Sequence, residues 1–70
     1  MYVVLEIMKT GDLLSATPTI HQTKNEAKAK FFQLVGSAAS SSVDRHYVSL
    51  LNESGKVLMN DGFDHLEEEV

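Results

Sequence analysis

The sequence predicts an α+β domain of order β-β-α-β-β, a four-stranded antiparallel sheet with one helix packed on one face. Three observations predict it. Four short runs are rich in β-branched, aromatic and aliphatic residues. A single longer stretch carries apolar residues at helical spacing behind a capping signal. Turn-forming residues separate the runs in pairs, which makes two hairpins flanking one helix.

The first run, residues 2–9 (YVVLEIMK), places Val3, Leu5 and Ile7 on one face and Tyr2, Val4, Glu6 and Met8 on the other. Both faces are largely apolar, which suits a central strand. Thr10-Gly11-Asp12 marks a turn, and residues 13–21 (LLSATPTIH) form the second strand. Pro18 cannot donate to a ladder, so that strand belongs at an edge or ends in a bulge.

Thr23-Lys24-Asn25-Glu26 has the form of a capping box and opens a helix running from Lys24 to about Ser40. Ala27, Phe31, Leu34, Val35 and Ala38 share its apolar stripe. Gly36 sits inside this helix, where it costs about 1 kcal/mol relative to alanine. It either ends the helix early or lets the helix lie close on the sheet, and the second is the expectation. Residues 46–52 (HYVSLLN) form the third strand, Asn52-Glu53-Ser54-Gly55 a tight turn, and residues 56–60 (KVLMN) the fourth strand. Asp61-Gly62 is read as the break that ends it. Residues 1–62 are thus one domain and residues 63–70 an acidic C-terminal tail.

Composition narrows the function classes. Seventy residues without cysteine exclude disulfides and thiolate metal sites. So small a chain buries about 60% of its unfolded surface and usually needs a further staple. Oligomerisation is the one left. Residues 1–60 hold five acids against six bases, for +1, whereas residues 61–70 hold five acids and no base, for −5. A nearly neutral body with an acidic end disfavours direct nucleic-acid binding. No basic leader and no long apolar run is present, so a cytoplasmic location without membrane contact is expected.

One helix covers one face of a sheet, and neither face of these strands is polar. If Val3, Leu5 and Ile7 face the helix, an apolar set comprising Tyr2, Val4, Met8, Tyr47, Leu51 and Met59 is left uncovered. Those six residues are the expected interface of a homodimer or higher oligomer.

Chemistry-bearing constellations are sparse. His21, His46 and His65 share no ligand spacing and read as separate side chains, not a metal centre. Ser42, Asp44 and His46 lie too close in sequence for a triad and lack a nucleophile elbow. Asn60 to Asp64 lacks the alternating oxygens and distal glutamate of a calcium loop. No catalytic, metal or cofactor residue is therefore assigned. Lys24 and Lys28 share a face near the helix N-terminus, where free amides favour anions, and are the candidate contacts for a small phosphorylated ligand.

Tyr2-Val3-Val4-Leu5-Glu6-Ile7, Asn25-Glu26-Ala27-x-x-Lys30-Phe31, Ala38-Ala39-Ser40 and Phe63-Asp64-His65 together resemble a group of short uncharacterised proteins. Phages, prophages and mobile elements of Gram-positive bacteria encode them. The resemblance implies a non-enzymatic accessory protein of the host bacterial cytoplasm or of particle assembly. The expected function is an oligomeric binding protein acting on a host or phage protein or a small phosphorylated ligand. An anti-defence role is one form of it, in which the protein blocks a host protein or sequesters a signalling nucleotide. A virion structural or assembly role is the alternative.

Overall fold

The strands are β1 (Tyr2–Thr10), β2 (Leu13–His21), β3 (Arg45–Asn52) and β4 (Val57–Asp64), and the helix is α1 (Lys24–Ala39). They come from a computed structural model that describes residues 1–65. All neighbours are antiparallel, in the order β2-β1-β3-β4. The two central strands are thus β1 and β3, and Pro18 lies in an edge strand opposite Leu5.

Gly11 adopts φ +60 at the first position of the two-residue loop joining β1 to β2, with Asp12 at negative φ. That is the type II′ arrangement, whose twist matches the flanking strands. It closes the hairpin on the Thr10–Leu13 pair and sets the register of every pair behind it. Asp44 ties the same loop to the start of β3, its carboxylate accepting from the Gly11 amide at 2.9 Å. The second hairpin turns on Asn52, whose side-chain oxygen accepts from the Ser54 and Lys56 amides at 3.0 Å each, with Gly55 at φ +89. In the same turn Glu53 accepts from the Met1 ammonium at 2.8 Å. That hydrogen bond, and then the charge beside it, hold the Glu53 carboxyl below its ordinary range.

Thr23 caps α1, its hydroxyl accepting from the Glu26 amide at 3.2 Å. The helix buries Ala27, Phe31 and Ala38. Ala27 and Phe31 pack on Val4, Val48 and Leu50, with Tyr2, Leu34, Val35 and Met59 at the margin. The helix therefore sits on the face of β1 that carries Tyr2, Val4, Glu6 and Met8, not on the face of Val3, Leu5 and Ile7. Glu6 is the reason the faces are easily exchanged. Its carboxylate lies 2.7 Å from Nε2 of His46, a histidine only 4% exposed, so an acid is accommodated beside the core.

Two further expectations need correction. Strand β4 runs through Asp61 and Gly62 to Asp64, so Phe63 and Asp64 belong to the sheet and not to a tail. Leu66, the glutamates 67–69 and Val70 lie outside the described residues. Gly36 is exposed, and a Cβ built on it would meet nothing within 4 Å. It is not a close-approach residue. Gly36→Ala is accordingly expected to stabilise the protein by about 0.5–1 kcal/mol, read as a rise in the urea midpoint. A loss of stability would show that something does pack against that position.

Candidate functional site

The sheet face away from the helix is the feature that a lone domain leaves unexplained. Side chains alternate across a strand, so the register sorts this face into four rows. Ile20, Val3, Leu51 and Val57 form the first; Pro18, Leu5, Ser49 and Asn60 the second. Ala16, Ile7, Tyr47 and Gly62 form the third; Leu14, Lys9, Arg45 and Asp64 the fourth. Polar chemistry is confined to two places. Asn60 donates to the Ser49 hydroxyl at 2.6 Å in the middle of the face, and Arg45 pairs with Asp64 at 3.2 Å at one end.

Strand β2 is the most informative. Its open-face residues are Leu14, Ala16, Pro18 and Ile20, with Leu14 66% and Ile20 68% exposed. Beyond Leu13, its residues on the helix side of the sheet are Ser15, Thr17, Thr19 and His21. A monomer with one covered face shows the opposite alternation, apolar toward the helix and polar away from it. Here the period-2 pattern puts the apolar residues of β2 on the open face.

A bulge adds to the same face. Leu50 pairs with Met59 and Leu51 with Val57, so β4 spends three residues where β3 spends two. The extra residue, Leu58, puts Met59 under the helix and turns Val57 to the open side. A regular strand would have placed Val57 and Met59 together.

Of the six expected interface residues, Tyr47 and Leu51 lie on the open face. Val4 is fully buried beneath the helix, Tyr2 and Met59 pack against the same core, and Met8 shares their face. Val3, Leu5 and Ile7 take their place, all half-buried. Pairing two facts in the sequence could have identified this set: the two-residue loop that pairs Val3 with Ile20, and the apolar residues of β2 at 14, 16, 18 and 20.

The remaining constellations fall apart in space. His21 meets the Thr19 hydroxyl at 2.9 Å, His46 meets Glu6, and His65 Nε2 lies 2.9 Å from the Ala38 carbonyl oxygen. Among the described residues no group of three His, Cys, Asp or Glu is placed to hold a metal ion. Asp44 and His46 serve different ends, the loop tie to Gly11 and the pair with Glu6. Asn60 to Asp64 is extended strand, with Asp61 accepting from the next amide at 2.8 Å. Lys24 is exposed and Lys28 half-buried, one turn apart, with the acid Glu26 in the same first turn. They lie on the helix, across the sheet from the open face. A shallow cavity of about 210 Å³, lined by Lys9, Gly11, Asp12, Asp44 and Arg45, lies beside the β1–β2 turn and mixes both charge signs.

Among the described residues no helix is long and apolar enough to cross a membrane. No protein-family model, no curated protein and no solved structure matches the chain.

Proposed function

We propose that this protein is a small non-enzymatic binding protein whose working unit is a homo-oligomer, formed when the open sheet face of one copy packs on that of a second. The inverted alternation of β2 is the observation that carries the reading. Size supports it. Four strands about 4.8 Å apart and eight residues at about 3.3 Å each give a face of roughly 500 Å² in projection, more with side-chain relief. A stable interface takes about 600–1,000 Å² from each partner, so nearly the whole face is needed. A second copy offers an apolar sheet of the same width, with charge confined to the row of Lys9, Arg45 and Asp64 at one end. Joining the two completes a helix–sheet–sheet–helix stack in which both sheet faces are covered.

The chain is expected to run at twice its 7.7 kDa mass at micromolar concentration, measured by light scattering during gel filtration. Leu5→Asp, in the middle of the face, is expected to shift it to the mass of one chain, because a carboxylate would be buried without a counter-charge. A wild-type protein that is monomeric at those concentrations, or a dimer indifferent to Leu5→Asp, overturns the proposal.

A further inference from the structure

Resting on the reading that a second copy covers the open face, we infer that the two copies are related by a twofold axis running along the strands, so that each row of one meets the same row of the other. A self-complementary dimer has a twofold axis, and for two stacked sheets with aligned strands the axis lies between them, along the strands or across them. The rows decide between the two because the face is graded. One end is the aliphatic row with Val3 and Leu51, and the other carries Lys9, Arg45 and Asp64.

An axis across the strands lays the first end on the second. The Asp64 side chain, 20% exposed and too short to reach around a neighbour, would then face the partner's Val57, and its pair with Arg45 would lose water without gaining a partner. An axis along the strands sets Asp64 over the partner's Leu14 instead, but one column from the partner's Lys9, whose ammonium can reach it. The aliphatic rows meet each other, and the charged rows meet at one rim where the long stems of Lys9 and Arg45 reach solvent. This axis also exchanges columns, setting β1 over β3 and β2 over β4 of the other copy.

The sequence contains no cysteine, so a single introduced thiol is a clean probe. With the axis along the strands, the two Val3→Cys thiols lie at the same end, on facing strands, roughly 10 Å apart or less. With the axis across them, the thiols lie at opposite ends, roughly 20 Å apart over six residues of strand. A short bismaleimide is expected to turn Val3→Cys mainly into covalent dimer, and Leu51→Cys, beside it in the same row, to do the same. If neither variant links to itself but Val3→Cys refolded together with Lys9→Cys does, the axis runs across the strands and the inference fails. A protein of dimeric mass in which none of these links forms also overturns it. A monomeric mass overturns the dimer itself, so the two failures are distinct.

Discussion

Phe31→Ala is expected to leave most of the protein unfolded at 25 °C. Phe31 is 3% exposed and is the largest side chain of the buried cluster, set by the helical stripe against Val4, Val48 and Leu50. Truncating a buried phenylalanine costs about 3–5 kcal/mol in lost transfer energy and residual cavity. A domain of this size without disulfides has about 3–5 kcal/mol in all. Six apolar side chains make up its buried core among the described residues, so little remains to compensate. The control lies one residue on. Phe32 is 59% exposed and touches Phe31 only edge-to-face, with ring centroids 5.4 Å apart. Phe32→Ala is expected to cost about 1 kcal/mol, the worth of such an aromatic pair. Urea titrations followed by far-UV circular dichroism, at one fixed protein concentration, compare the two. Equal losses would mean that the helix presents a different face to the sheet.

Gly62→Ala is expected to cost about 3 kcal/mol, an unusual penalty for one methyl group in a strand. A Cβ there would overlap Cδ1 of Tyr47, the residue opposite it on β3, and would lie 2.7 Å from the His46 carbonyl oxygen and 2.8 Å from the Tyr47 Cα. The ring could rotate away, but the two backbone atoms belong to a central strand paired on both sides. Overpacking that only backbone movement can relieve falls at the upper end of the usual 1–3 kcal/mol, or about that much. A double variant, Gly62→Ala with Tyr47→Ala, separates the contributions. It is expected to stay as unstable as Gly62→Ala alone, because the backbone clash persists. A Gly62→Ala protein within about 0.5 kcal/mol of the wild type would show that β4 can move off β3 at this point.

Element order, helix start and edge strand were legible in the sequence because each rests on local chemistry: the Thr23–Glu26 cap, the Gly11 loop, the proline in β2. The face of the sheet that takes the helix was not. Val3, Leu5 and Ile7 make an unbroken apolar set, while Glu6 interrupts the other face, so the odd-numbered residues looked like the core. The interruption is cancelled by His46, forty residues away, a partnership no periodicity contains. Strand β4 hid two features for a similar reason. Asp61-Gly62 has the composition of a turn, yet the glycine is there to make room for Tyr47. The bulge at Leu58 reverses the alternation that would have placed Met59 with Val57. Gly36, by contrast, suggested a close approach and has open space around it; the structure offers no packing reason for a glycine there.

The position of Pro18 bears on the open edge of the sheet. Covering a face still leaves the edges of each sheet, and an unpaired edge of nine residues is a template for further strands. Starting from the closed pair Thr10–Leu13, bonded and unbonded pairs alternate along the hairpin, which makes Leu5–Pro18 an unbonded one. The nitrogen of Pro18 therefore points outward, in the stretch where an incoming strand would seek amides at Ala16, 18 and Ile20. The missing hydrogen interrupts that ladder at its middle site. Edge-to-edge growth through β2 is thereby disfavoured, and the proline acts as a stop against fibrous aggregation.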